Sequence, residues 1–199
     1  MTERRQTLEP EYFDALYTDD PDPWNFAASP YERAKYEITL KAMPKPRYRS
    51  AFEVGCSIGV LTRLLASRCE SILAIDVASA PLIEAKRRCA DLPGVRFEQM
   101  FVPQQWPGGM FDLILLSEVV YYLSPEDVGH LAAKVTRSLT LGGSVILVHW
   151  IGSTDYPLSG DEAVRLFIEQ VGAVCVVERA DRYHQFRLDV LSRPRVSIA

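Results

Sequence analysis

Apolar residues gather in short runs along the chain, set apart by polar stretches rich in glycine and proline. Runs at 50–55, 71–76, 95–100, 111–117 and 144–150 are rich in aliphatic and branched side chains, several closed by Gly, Asp or Ser. Near-continuous apolar runs of this length predict strands buried on both faces of a parallel sheet. Between them the apolar positions recur at helical spacing. After Ser124-Pro125-Glu126-Asp127, the residues Val128, Leu131, Ala132, Val135 and Leu139 fall on one side of a helix that Gly142-Gly143 is expected to stop. The same box of a capping hydroxyl, a first-turn proline and an acidic residue occurs at Ser29-Pro30-Tyr31-Glu32. Both answer the need of the first helical amides for acceptors. Ser79 and Ser159 are further candidate caps.

Strand and helix alternation at this spacing predicts an α/β fold, a mainly parallel sheet covered by helices on both faces. The end of the chain departs from that rhythm. Runs at 174–179 and 186–192 are joined by only ADRYHQ, too short for a crossover, and predict an antiparallel hairpin. Helical segments at 9–17 and 30–43 precede the first sheet strand. The expected organisation is one domain over 1–199, with an N-terminal helical lid at 1–48 and a Rossmann-like core at 49–199. Helices placed ahead of such a sheet can close over the carboxyl ends of its strands, where ligands bind.

Composition narrows the function. Of 199 residues 48% are hydrophobic and 24% charged, and 22 Lys and Arg against 26 Asp and Glu leave a net charge of −4. That balance provides no basic footprint for a phosphate backbone, so nucleic acid is not an expected partner. No apolar run approaches the ~20 residues that span a bilayer, and the expectation is a cytoplasmic protein without a membrane partner. Cys56, Cys69, Cys89 and Cys175 stand singly in apolar stretches with no Cys-x-x-Cys pair, which reads as reduced buried thiols and no metal site. Oligomeric state is left open.

The first strand runs into Glu53-Val54-Gly55-Cys56-Ser57-Ile58-Gly59-Val60, and Asp76 follows Gly55 by 21 residues. This is the spacing of a nucleotide-binding βαβ unit. A dinucleotide fingerprint would have Gly at 57 and 60, where Ser and Val stand. Glu53 would also repel a diphosphate at close range. A nicotinamide oxidoreductase is therefore disfavoured. S-adenosyl-L-methionine carries an ammonium and a sulfonium and no phosphate, so an acidic residue beside a glycine loop suits it, and Asp76 can accept both ribose hydroxyls.

The segments EVGCSIG, ILAID, FDLILLSEVVYYL and SLTLGGSVIL, with DPWNFAASPYERAKYEITL upstream, resemble the successive motifs of class I S-adenosylmethionine-dependent methyltransferases, and more closely the NodS-like N-methyltransferases. The resemblance covers roughly residues 12–147. It implies a Rossmann-like seven-stranded mixed sheet of order 3-2-1-4-5-7-6 with strand 7 antiparallel, and S-adenosyl-L-homocysteine as product. It further implies that Glu53, Gly55, Cys56 and Gly59 face the methionine part of the cofactor, that Asp76 takes the ribose and that Val77 packs on the adenine. Ser117, at the end of the fourth strand, joins the cofactor set. Where many relatives carry Gly-Asp after the third strand this chain has Met100-Phe101, so backbone contacts and packing by Met100 or Phe101 are expected at the adenine. Arg33 is placed to meet the methionine carboxylate, or is a surface helix residue.

Methyl transfer from a sulfonium draws its difficult chemistry from the cofactor, so the protein must chiefly align a nucleophile and exclude water. An attacking amine must be neutral, and a carboxylate or histidine can take its proton. Glu118 is the first choice, its alternative a capping or surface carboxylate. Tyr121 and Tyr122 follow. Adjacent side chains are expected to point apart, with Tyr121 toward the cleft, where a phenol can hydrogen-bond the nucleophile or a ring face can favour an ammonium. His149, a candidate catalytic base or else a satisfied strand-end histidine, and Trp150, a candidate to stack on a sugar, end the fifth strand, and the following loop, IGSTDYPLSGDE, contributes Asp155 and Asp161, either to a cationic substrate or to the turn and next helix. Tyr31, with Tyr12, Trp24 and Tyr36, forms either the aromatic inner face of the lid or its packing core. Arg179, Arg182, Arg187, Arg193 and Arg195 read as a solvated hairpin edge. The resemblance implies a small-molecule acceptor, the free amino nitrogen of a deacetylated glucosamine-type amino sugar. O-methylation of a small metabolite and a noncatalytic cofactor-binding domain are the alternatives.

Overall fold

The structure, a computed structural model, describes residues 6–195; the first five residues of the N-terminal segment lie outside it. In chain order the elements are α1 (Pro10–Asp19), α2 (Pro30–Ala42), β1 (Tyr48–Val54), α3 (Val60–Leu65), β2 (Cys69–Asp76), α4 (Ser79–Arg88), β3 (Val95–Gln99), β4 (Phe111–Ser117), α5 (Pro125–Ser138), β5 (Leu139–Trp150), α6 (Gly160–Val171), β6 (Val176–Arg182) and β7 (Phe186–Ser192). The strand order is β3-β2-β1-β4-β5-β7-β6, the seven-stranded mixed sheet that the resemblance implies. The residues group into two compact units, 9–101 and 102–195 with 6–8.

In the unit of residues 9–101, β1 pairs parallel with β2 and β2 with β3, and the registers bring Val54 opposite Ile75 and Asp76 opposite Gln99. Phe52, Ile72 and Ile75 of the inner strands are buried, as is Leu65 of α3. Ser29 caps α2 as expected, its hydroxyl accepting from the Glu32 amide at 3.3 Å. Ser79 does not cap α4. Ala78 holds the cap position, and its amide donates instead to Asp76 Oδ1 at 3.0 Å.

In the other unit β4 pairs parallel with β5, while β7 runs antiparallel to both β5 and β6. Ser124 caps α5, and Ser159 with Glu162 completes a reciprocal capping box on α6. Thr7 fastens the start of α5: its hydroxyl accepts from the Ser124 amide at 2.9 Å and donates to Asp127.

The largest boundary differences from expectation lie at the end of α5 and in the hairpin. Helix α5 stops at Ser138 and Leu139 already belongs to β5, so Gly142-Gly143 lie within a strand. The ladder explains this: Phe111 faces Leu139 and Leu113 faces Ser144, so Thr140–Gly143 is accommodated as a bulge, with Gly142 at φ 72°. The hairpin is tighter than expected because β6 extends to Arg182, and Tyr183 N closes the turn on Phe186 O at 2.8 Å. Its arginines divide: Arg179, Arg182 and Arg195 are exposed, as a solvated edge implies, whereas Arg187 and Arg193 are half-buried. Arg187 grips the fully buried Asp189 with two bonds of 2.8 Å and reaches Asp161 at 3.0 Å, Arg182 meets Asp161 at 2.6 Å, and Arg193 donates to the carbonyls of Thr136 and Leu139. A guanidinium has five donors, and at Arg187 three nitrogens meet carboxylates.

Among the described residues no helix is long and apolar enough to cross a membrane, and no group of three or more His, Cys, Asp or Glu is placed to hold a metal ion.

Candidate functional site

The first cluster belongs to the unit of residues 9–101 and is built where β1 ends. The chain turns out of the strand through three residues of positive φ, Gly55 at 80°, Ser57 at 47° and Gly59 at 77°. Ile75 O receives the amides of both Gly55 and Cys56 at 2.9 Å, fixing the loop to β2. At Gly59 a β-carbon would come within 2.9 Å of the Ala85 backbone, so only glycine permits both the left-handed turn and the close approach of α4.

Asp76, at the end of β2, is the organising group. Its Oδ2 accepts from Ser57 N at 2.8 Å and its Oδ1 from Ala78 N at 3.0 Å. Burial raises its pKa to about 6, against the pull of those amides. Glu53, 1% exposed, is raised further, to about 7, by burial and by the charge of Asp76, with the neighbouring Thr62 hydroxyl offsetting part of the rise. Glu53 Oε2 accepts no well-aligned hydrogen bond, and neither carboxylate pairs with a lysine or arginine among the described residues. A buried negative pair without a counter-cation favours a cationic ligand and opposes a phosphate. The Cys56 thiol, pushed well up by burial, stays close to the Ser57 carbonyl, 3.8 Å away.

One contributor here was not singled out from sequence. Tyr17 of α1 donates its hydroxyl to Ser57 Oγ at 2.6 Å, and burial, then Asp76, push its phenol far above the ordinary range. Trp24 packs edge-on against Tyr17 at 5.7 Å and stacks with Phe26 at 5.5 Å. The DPWNFAA segment builds that support: Asp22 accepts from the amides of Phe26 and Ala27 at 2.8 and 2.9 Å, and Asn25 takes φ 55°. Such side-chain-to-backbone bonding is what aspartate supplies in a turn. Val77 is half-buried and its carbonyl accepts from Gln99 Nε2 at 2.9 Å, while Met100 N donates to Asp76 O at 3.0 Å and Phe101 is half-buried beyond it. Arg33 is exposed on α2. Tyr31 is half-buried, with Lys35 Nζ 5.3 Å from its ring centre and itself paired with Glu32 at 2.9 Å. That buried ion pair also carries no sequence signal beyond a helical i, i+3 spacing.

The second cluster lies in the other unit, after β4 and β5. Ser117, the buried last residue of β4, sits opposite Val148. Glu118 follows in a left-handed conformation, φ 57°, and its amide donates to Val148 O at 2.8 Å. Its Oε2 accepts from the Tyr121 hydroxyl at 2.7 Å and from Trp150 N at 2.8 Å. His149 is fully buried, and its Nε2 accepts from Val120 N at 3.1 Å, which places the ring proton on Nδ1. Tyr121 and Tyr122 do not point apart. Residues Val120–Tyr122 form a 3₁₀ turn, in which neighbouring side chains splay by a third of a circle rather than half, and the two rings meet edge-on at 4.6 Å. Both are buried. Burial and Glu118 together push the Tyr121 phenol well above its ordinary value. Asp155 is exposed, whereas Asp161 is committed to Arg182 and Arg187, which hold its carboxyl below the usual range.

A family model described as Nodulation protein S (NodS) matches residues 10–152. Nodulation protein S of Rhizobium tropici is 30% identical over 127 residues, covering 63% of this chain and 53% of that protein. The chain thus spans about half the length of that curated relative. Among solved structures, a Pseudomonas syringae protein assigned to the methyltransferases is 34% identical, with a TM-score of 0.72 over 82% of this chain and 99% of the other. The N-methyltransferase NodS from Bradyrhizobium japonicum WM9 in complex with S-adenosyl-L-homocysteine shares the fold at a TM-score of 0.79 and 19% identity, covering 92% of this chain and 97% of the other.

Proposed function

Because the chain belongs to the nodulation protein S (NodS) family, we propose that it is an S-adenosyl-L-methionine-dependent methyltransferase acting on an amine, the free amino group of a deacetylated glucosamine-type saccharide. The observation that carries this reading is the pair of buried, cation-free carboxylates Glu53 and Asp76 around the turn from Gly55 to Gly59. Each Asp76 oxygen already holds one backbone amide and keeps a lone pair for a ribose hydroxyl.

In this reading Glu53, Gly55, Cys56 and Gly59 hold the amino-acid part, with Arg33 meeting its carboxylate. Val77, Met100 and Phe101 border the adenine. When bound, S-adenosyl-L-methionine supplies an electrophilic methyl group. Glu118, fixed by Tyr121 and Trp150 N, orients the acceptor amine and takes its proton as the new N–C bond forms. His149 acts from within the fold by holding the turn at Val120. Tyr122, Trp150 and Asp155 contact the saccharide.

Calorimetric titration with S-adenosyl-L-homocysteine tests the cofactor assignment, and micromolar one-site binding is expected. Mass spectrometry of a deacetylated chitooligosaccharide incubated with protein and S-adenosyl-L-methionine tests the acceptor. Absence of binding to the folded protein would overturn the methyltransferase reading; transfer only to other amines or to alcohols would overturn the acceptor.

A further inference from the structure

Tyr156 lies on the loop between β5 and α6, beyond residue 152 where the match to the family model stops. The loop is pinned at three points, first to the β6–β7 turn and then to the second cluster. Ile151 N donates to Gln185 O at 3.0 Å and Leu158 N to Tyr121 O at 3.2 Å. At its far end Gly160 packs so closely that a β-carbon would stand 2.0 Å from Trp150 O. Tyr156 is thereby laid against Tyr121, the rings stacked at 5.2 Å and 23°, while its other neighbour Tyr122 meets it edge-on at 4.7 Å. His149 closes Tyr121 from a further side, edge-on at 5.4 Å.

We propose that Tyr156 is a positioning residue for methyl transfer: its ring holds Tyr121 in the one orientation that donates to Glu118 Oε2, and through that bond it sets the carboxylate that receives the acceptor amine. The inference rests on the methyltransferase reading above. Rotation of Tyr121 about its own side-chain bonds is opposed by three rings, of which only Tyr156 comes from a loop outside the family's shared region. The stack on Tyr121 requires the ring, and the Tyr156 hydroxyl, which hydrogen-bonds the Tyr122 side chain, does not enter it. Tyr156→Phe therefore preserves the function of the residue, and Tyr156→Leu or Tyr156→Ala removes it.

The test uses full-length protein carrying 3-fluorotyrosine at position 121 alone. Fluorine NMR of Tyr156→Leu and Tyr156→Ala is expected to move the Tyr121 resonance toward its position in Glu118→Ala, where the acceptor is lost, while Tyr156→Phe stays with the wild type. In turnover with a deacetylated chitooligosaccharide, Tyr156→Ala is expected to lower kcat about tenfold through misplacement of the carboxylate, leave S-adenosyl-L-homocysteine affinity within about twofold, and add less than about twofold when Tyr121 is already Phe. An unmoved fluorine resonance in the Ala and Leu variants would overturn the proposal. So would losses from Tyr156→Ala and Tyr121→Phe that simply add. Wild-type protein that fails to bind S-adenosyl-L-homocysteine would overturn the methyltransferase reading and with it the role in transfer, while the fluorine spectra separately decide whether Tyr156 holds Tyr121.

Discussion

The Tyr121 hydroxyl donates to Glu118 at 2.7 Å, and Glu118 receives it from a left-handed backbone, φ 57°. A non-glycine residue in that region costs on the order of 1 kcal/mol and persists only where its surroundings over-determine it. Here the Val148 carbonyl, the Trp150 amide and the Tyr121 phenol all fix the same residue. Strain held at one carboxylate by three independent bonds points to a placement that matters for chemistry.

Glu118→Gln keeps an acceptor for both donors but removes the charge. It is expected to lower turnover by about a hundredfold, the scale of a lost general base, with S-adenosyl-L-homocysteine affinity within about twofold. Radiometric turnover beside calorimetry checks it, and equal loss in both would move Glu118 to the cofactor.

Asp76→Ala is expected to weaken S-adenosyl-L-homocysteine binding at least about tenfold, the loss of one to two charge-assisted hydrogen bonds. The fold does not escape untouched. Ser57 N and Ala78 N lose their acceptor in a buried place, so the melting temperature should fall as well. Asp76→Asn, which keeps an oxygen for one of the two amides, should fall between. Calorimetry and thermal melts of the three proteins decide the order.

Features written in local chemistry were legible in the sequence. The hydroxyl caps at Ser29, Ser124 and Ser159 need only neighbours within one turn, and the turn from Gly55 to Gly59 followed by Asp76 is specified by spacing along one βαβ unit. What escaped depends on register and distance. Tyr17 meets Ser57 across 40 positions, a contact that no periodicity encodes. Gly142-Gly143 looked like a helix stop because glycine pairs usually are one, yet the bulge opposite β4 absorbs them. Tyr121 and Tyr122 were assigned to opposite sides on the period of an extended chain, and the 3₁₀ turn changed the period. Arg187 looked like surface charge until β7 brought Asp189 two residues away to the same side.

Tyr17→Phe removes a buried hydrogen bond of 2.6 Å and leaves Ser57 Oγ without that donor. The expected loss is about 1 kcal/mol of stability, with faster amide exchange in both the α1 segment and the loop around Ser57. Hydrogen exchange read by mass spectrometry checks it. Acceleration confined to α1 would show that the bond does not support the loop.

The last prediction concerns pH. Glu53 has its pKa raised from an ordinary 4.5 to about 7 by burial, and Asp76 from 3.8 to about 6. A carboxyl with a raised folded-state pKa binds more protons folded than unfolded. Its contribution to stability is therefore fully present below its unfolded value and lost as pH rises through its folded value. The unliganded protein should lose stability between about pH 5 and pH 8, with Glu53 accounting for roughly 3 kcal/mol of that loss. Glu53→Gln, which cannot ionise, should flatten the profile and exceed the wild type in melting temperature at pH 8, while the two converge near pH 4. A cationic ligand acts in the opposite direction, since it favours the ionised carboxylates, so its affinity for the wild type should rise over the same interval and that for Glu53→Gln should rise less. Melting temperatures of both proteins across the series, with and without S-adenosyl-L-methionine, decide it; parallel slopes would place the titration elsewhere than Glu53.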